Sequence, residues 1–499
     1  MLRSRAPGQY AQCNALTHIN RSAWSSVLHT STSGAFKVSR IFSIIFSSLL
    51  NLLICSQVAL GSIHRRVAPI PPARDPFYQP PAGYENAVPG TILRSGPAPA
   101  KLQALSLVPV NIKQVTQLLY RTTNALGQPE VTVSTVMVPE NASYDKVVSY
   151  QVAEDSGGQI NCAPSYTLQT GSQSIYAGTG DVEMLLILGA LNEGWIVSSP
   201  DWEGPNSTFT EGFQAGQSTL DSVRAVLSSG KITGVKSDAK VQMWGYSGGA
   251  LASEWAMELQ SSYAPELKFV GAAIGGVTPN VQNVYGTINH GPFAGIAAAA
   301  LLGMANAFKD FQARLTNKLI PAKAAEFYQA GQNCFYGDVV LFAGQNISSY
   351  FYNGDNIVLE LTLAKYFRSN AQMGRHGVPS MPLFVYKAVA DEISLIADTD
   401  ALVDQFCGDG VSITYVRDVA GEHFTQAATS FPDVINFLRA RFAGTPISGC
   451  SIRNEFLDAL DAGGPSYFGS IIVTELLNLL GKPVGPGNVR SYYAIKLLQ

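Results

Sequence analysis

Short apolar runs recur along this chain, and between several of them apolar residues return every three or four positions. The first two runs, residues 114–121 and 130–138, are rich in β-branched side chains and are joined through Asn124-Ala125-Leu126-Gly127, the pattern of a β-hairpin. Further strand candidates fall at residues 147–152, 195–198, 241–244, 269–274, 383–386 and 413–416. Helical patterns lie between some of these, for example over 217–227 and 250–259. Such alternation predicts an α/β fold: a mostly parallel sheet covered by helices on both faces. From residue 278 to about 374 the pattern changes. Residues 293–308 are rich in Ala and Leu without strand punctuation, and helical runs continue through Phe327 and over 359–367. Residues 278–374 are therefore expected to form a helical insertion over a core made of 91–277 and 375–499, with further core helices as the simpler alternative. Residues 62–90, rich in Pro and Arg, read as an extended arm.

Composition narrows the picture. A chain of 499 residues exceeds the ~250–300 at which single cores stop growing, so an insertion or a second domain is expected. Charged residues make up 14 % and the formal net charge is -3, which argues for a compact globule and leaves no basic field for nucleic acid. Near the N-terminus, Lys37 and Arg40 precede an apolar run over 41–54, and small residues follow at Ala59 and Gly61. That is the order of a secretory signal, so residues 1–61 read as an extension plus signal peptide, cleaved after Gly61, of a secreted, extracellular protein. The run is shorter than the ~20 residues of a bilayer span and is broken by Ser43, Ser47, Ser48 and Asn51, so no stable transmembrane anchor is expected. Arg65-Arg66 is a weak dibasic processing signal.

Cys13 and Cys55 fall in the leader, leaving Cys162, Cys334, Cys407 and Cys450. An even number in an exported chain suggests two disulfides, with three pairings open. No CxxC spacing occurs, and no metal or cofactor is expected. Sequons at Asn141, Asn206 and Asn346 are N-glycosylation candidates on a secretory route.

The strongest local signal is Gly245-Tyr246-Ser247-Gly248-Gly249, a G-x-S-x-G between an apolar run and a helical one. A strand that turns sharply into a helix holds a serine with its Oγ exposed and leaves no room for bulky neighbours. The helix N-terminus then aims its dipole and free amides at the reacting centre. Serine is a weak nucleophile at neutral pH and needs a base oriented by a carboxylate. After Ser247 come only His290, His376 and His423. His290 falls in the insertion and His376 precedes a strand, whereas His423 hangs in a loop just after the strand at 413–416, where a catalytic imidazole belongs. For the acid, Asp391 follows the strand at 383–386; Asp398 and Asp400 read as groups of the next helix, and Glu392 as a carboxylate behind the site. An oxyanion hole needs two donors. One is expected from the Gly248 amide, the other from the loop Glu154-Asp155-Ser156-Gly157-Gly158, through a backbone amide.

Several separated segments, in one order, resemble the secreted fungal lipase family typified by Candida antarctica lipase A, a branch of the α/β-hydrolases. They are Val148-Ser149-Tyr150-Gln151, Glu154-Asp155-Ser156, Asn161-Cys162-Ala163-Pro164-Ser165-Tyr166, Pro200-Asp201 with Glu203-Gly204, residues 244–250, Asp391-Glu392-Ile393 and Glu422-His423. The resemblance runs from about Tyr120 to the C-terminus. It implies an α/β-hydrolase core, a helical cap between the nucleophile and acid strands, and a flap near the C-terminus. It also implies a triad of Ser247, Asp391 and His423, oxyanion donors at Asp155 and Gly248, and disulfides Cys162–Cys334 and Cys407–Cys450. The cap sequence and Trp202 depart from the family pattern.

The expected activity is hydrolysis of carboxylic esters, most of all triacylglycerols at a lipid–water interface, through an acyl-enzyme. A narrower esterase or deacetylase of the trichothecene esterase type and an acyltransferase would use the same residues. A lipid-binding protein would use none of them. Residues 293–308 could line an acyl tunnel or simply pack against the core.

Overall fold

The computed structural model describes residues 69–105, 108–158, 160–172, 179–456, 474–475 and 477–486. The expected signal peptide, Arg65-Arg66 and most of the C-terminal flap lie outside them. The strands are β1 (Ile92–Pro97), β2 (Gln103–Ala104), β3 (Val108–Pro109), β4 (Gln114–Thr123), β5 (Pro129–Val138), β6 (Ser143–Gln151), β7 (Trp195–Pro200), β8 (Lys240–Tyr246), β9 (Phe269–Gly275), β10 (Leu383–Ala388), β11 (Ile413–Asp418) and β12 (Cys450–Glu455). β2 and β3 pair with each other, and the others form one sheet in the order β1-β4-β5-β7-β6-β8-β9-β10-β11-β12. From β7 to β12 every neighbouring pair is parallel; β1, β4 and β5 run antiparallel at one edge.

The period of two along each strand sorts the core into two faces. Val147, Val241 and Met243 join the cluster of helices Gly212–Ser228 and Gly248–Tyr263, while Val148, Tyr150, Trp244 and Tyr246 join that of helices Gly180–Asn192 and Phe431–Ala443. The hairpin forms as expected: Asn124 Oδ1 accepts the amides of Leu126 and Gln128 at 2.9 Å each, and Gly127 takes the left-handed φ that closes the turn.

Residues 69–90 are not an extended arm. They wind into three 3-10 turns, Pro72–Arg74, Pro76–Tyr78 and Tyr84–Asn86. Proline presets φ at the start of the first two, Asp75 accepts the Phe77 amide at 2.8 Å, and Phe77, Tyr78 and Tyr84 pack on Leu119, Val131 and Val133.

Between β9 and β10 the chain is helical, with helices Val281–Ile288, Ala294–Ala307, Lys309–Lys318, Phe335–Phe342 and Leu361–Asn370, and with helix Ala324–Phe327 and several 3-10 segments in the links. Asn280 caps the first through the amides of Gln282 and Asn283. Ala294–Ala307 is buried along almost its whole length, as its near-uniform Ala and Leu content requires. Two disulfides form, Cys162–Cys334 and Cys407–Cys450, the pairing that the resemblance implies. The first ties the turn Ile160–Cys162 to the start of helix Phe335–Phe342; the second ties the end of helix Ile396–Gly408 to edge strand β12.

Candidate active site

Ser247 stands between β8 and helix Gly248–Tyr263 with φ 54° and ψ -119°, a conformation that non-glycine residues adopt only when their surroundings impose it. Here the surroundings are dense. A Cβ on Gly249 would collide with the Gln151 carbonyl oxygen and one on Gly245 with the Gly249 carbonyl, so neither position admits a side chain. The Ser247 amide donates to Gly275 O at 2.9 Å.

Ser247 Oγ lies 2.9 Å from His423 Nε2, and His423 Nδ1 lies 2.7 Å from Asp391 Oδ2. A carboxylate can only accept, so the hydrogen sits on Nδ1 and the Nε2 lone pair faces the serine hydroxyl. Asp391 Oδ1 accepts the amides of Ile393 and Ser394 at 2.9 and 2.8 Å. Burial alone would raise this carboxyl, but His423 and then Lys387 outweigh it and hold the group well below the usual carboxylate range. His423 opens helix His423–Thr429; Glu392 accepts its amide at 2.7 Å and Tyr246 OH donates to its carbonyl.

The rival residues lie elsewhere. His290 is in the helical segment after β9, and His376 stacks on Trp255 with Phe213 edge-on to it. Asp398 accepts from Asn283, while Asp400 accepts from Tyr415 and pairs with Arg417.

On the other side of Ser247, Gly248 begins the helix and Asp155 sits against it, so that a Cβ on Gly248 would strike Asp155 Oδ1. Asp155 has φ 48°. The Asp155 amide lies near the Glu203 carboxylate, which accepts the neighbouring Ser156 amide at 3.1 Å. Asp155 borders the same cavity as Ser247, and its Oδ1 is buried without a hydrogen-bond partner. Burial, with Glu183 adding to it, pushes this carboxyl up to about 7. Trp202, the departure from the family pattern, is fully buried, and its Nε1 donates to Val152 O at 2.7 Å. It thereby braces the segment that leads to Asp155.

Beside Ser247 and Asp155 a cavity opens, walled by Leu251, Val281, Ile288, Ile296, Ala300 and Phe367. Most of this wall belongs to the helices between β9 and β10. Among the described residues, no group of His, Cys, Asp and Glu could hold a metal ion, and no helix is long and apolar enough to cross a membrane.

Sequence reasoning missed Lys387, which is fully buried one turn of chain before Asp391; its Nζ lies 2.8 Å from Asp391 Oδ2 and donates to Val277 O at 3.0 Å. It also missed the part of Glu203. A lysine inside an otherwise apolar strand was the available signal for the first.

A mostly parallel sheet flanked by helices, with a serine on the turn between strand and helix, defines an α/β-hydrolase, here an ester hydrolase. Residues 168–449 match the family described as Secretory lipase. The chain belongs to this secretory lipase family and is a lipase. It is 42 % identical to Lipase A of Arthroderma benhamiae over 84 % of this chain and 90 % of that protein. With Lipase 6 of Candida albicans it shares 35 % identity over 89 % of this chain and 97 % of that one. Its fold matches the X-ray structure of Candida antarctica lipase A with a TM-score of 0.72 at 28 % identity, covering 84 % of this chain and 99 % of that chain. A rice cell wall degrading esterase, LipA from Xanthomonas oryzae, shares the fold alone, with a TM-score of 0.53 at 16 % identity over 72 % of this chain and 99 % of that chain.

Proposed function

We propose that this chain is a secreted triacylglycerol lipase that works through an acyl-enzyme on Ser247. The observation that carries the reading is the unbroken hydrogen-bonded file from Ser247 Oγ through the His423 ring to Asp391, opening on an apolar cavity. In this reading His423 Nε2 takes the proton as Ser247 Oγ attacks the ester carbonyl. The Gly248 amide and Asp155 donate to the oxyanion that forms, Asp155 through its amide or, when protonated, through its desolvated carboxyl. The departing alkoxide takes the proton back from His423. Water, deprotonated by the same ring, then attacks the acyl carbonyl and frees the acid and Ser247. The apolar wall suits an acyl chain, and residues 278–374, which supply most of it, act as the cap and lid. Export fits the disulfides and the sequons; Asn141 and Asn206 are exposed, and Asn346 caps the turn Ile347–Tyr350.

The test is an ester series from acetate to oleate, run with and without an emulsion, on wild type and Ser247→Ala. A preference for long chains that rises at the interface, and a loss of about 10⁶-fold in kcat for Ser247→Ala, are expected. Acetate-restricted turnover would instead make the protein a deacetylase, alcoholysis exceeding hydrolysis an acyltransferase. Near-normal activity of Ser247→Ala would overturn the mechanism.

A further inference from the structure

The Asp391 carboxylate has more partners than the triad needs. Its Oδ1 receives two amides, and its Oδ2 receives both His423 Nδ1 and Lys387 Nζ, at 2.7 and 2.8 Å. Both side chains of the Lys387–Asp391 pair are wholly removed from solvent. Burying a lysine is costly unless the charge is paired and hydrogen-bonded. Here Nζ is aimed at two acceptors, Asp391 Oδ2 and Val277 O, the carbonyl that also receives Ser394 Oγ. The strand supplies the direction: β10 is buried on both faces, and Lys387 leaves it beside the loop that carries Asp391.

We propose that Lys387 is a positioning residue of the triad, fixing Asp391 through Oδ2 and offsetting part of the carboxylate's field on the His423 ring. The inference rests on the triad reading above. Because both donors meet the same oxygen, at 2.8 and 2.7 Å, Nζ and the ring nitrogen are no more than roughly 5.5 Å apart, within direct Coulombic reach of each other. Other charged or ionisable groups around this centre come from each element packed on it. They are Tyr246 on β8, Tyr386 on β10, Glu392 in the acid loop, Asp398 on the following helix and Asp418 at the end of β11. All five are carboxyls or phenols, and none of them carries positive charge. Lys387 is the one cation among the groups named, and it keeps the ring available as a base in acidic medium.

The experiment is the pH dependence of kcat/KM on a soluble short-chain ester for the wild type, Lys387→Met, Lys387→Gln and Lys387→Arg. Melting and circular dichroism are recorded alongside. Met removes charge and hydrogen bond, Gln keeps a donor without the charge, and Arg keeps the charge. Both neutral variants should move the acid limb about one unit to higher pH, with Gln retaining more of the plateau rate; Arg should leave the limb in place. Should Met not fold, Gln carries the same test. A neutral, folded variant with the wild-type acid limb overturns the proposal, as does an Arg variant whose limb moves as far as that of Gln. If Ser247→Ala is inert while the limbs coincide, only Lys387 falls; if Ser247→Ala turns over, the triad reading falls with it.

Discussion

Asp155 combines a left-handed backbone with a buried carboxyl whose Oδ1 has no hydrogen-bond partner, and it borders the cavity of Ser247. Raised to about 7 by burial and Glu183, that carboxyl can donate to an oxyanion only while protonated. On the alkaline side, turnover should therefore fall as pH rises through about 7. Asp155→Asn keeps an N–H donor without a titrating proton, so its kcat should lose this alkaline limb; Asp155→Ala should fall by about 10²–10³-fold at every pH. Stopped-flow or pH-stat rates between pH 4 and 9 would decide, and an unaltered limb in the Asn variant would return the role to the backbone. The meeting of Ser247, His423 and Asp391 was legible in the sequence, since three histidines follow Ser247 and one alone hangs after a strand end. The burial of the Asp155 carboxyl was not, because it is set by segments distant in the sequence, which no local residue pattern encodes. Lys387 escaped because periodicity assigns a lysine to solvent by default, whereas here a buried acid claims it.

At the scale of elements, the interior strands were readable and the edges were not. β8 to β11 are flanked on both sides and carry continuous apolar runs. β1, with Arg94, Ser95, Gly96 and Pro97, and β12, with Arg453, Asn454 and Glu455, lie at the two edges and show solvent one side or more. Such edges carry the polar residues that discourage further pairing. The insertion was visible as a change of period, yet its tether to the core, Cys162–Cys334, came only from family likeness. That bridge closes 172 residues and Cys407–Cys450 closes 43. Chain-entropy reasoning then predicts that replacing the first pair with serines costs about 1 kcal/mol more stability than replacing the second. Urea unfolding of the two double variants measures this. The first should also lose turnover, because it frees the segment next to Asp155; equal stability losses with unchanged kcat would refute both parts.

At the scale of the whole molecule, many carboxyls of the described residues are buried. Burial raises Glu130, Asp155, Glu183, Asp201 and Glu211 to about 7 and Asp338 to about 8. Between the ordinary carboxylate range and these values the folded chain binds more protons than the unfolded one, so stability falls as pH rises. Asp391 acts in the opposite sense, but its contribution is already complete above the ordinary range. The melting temperature should thus be higher at pH 5 than at pH 8 by roughly 5–10 °C, read by calorimetry, and a flat or rising profile would contradict it. The seam between the Asp155 segment and the insertion matters for engineering. A methyl added at Gly157 would lie 2.7 Å from Ala299 O, one at Gly158 2.8 Å from Gly331 O, and Asn306 Nδ2 holds Gly157 O at 2.8 Å. A chimera that imports the helical piece from another lipase must therefore import residues 155–162 with it, because the two are cut to one template.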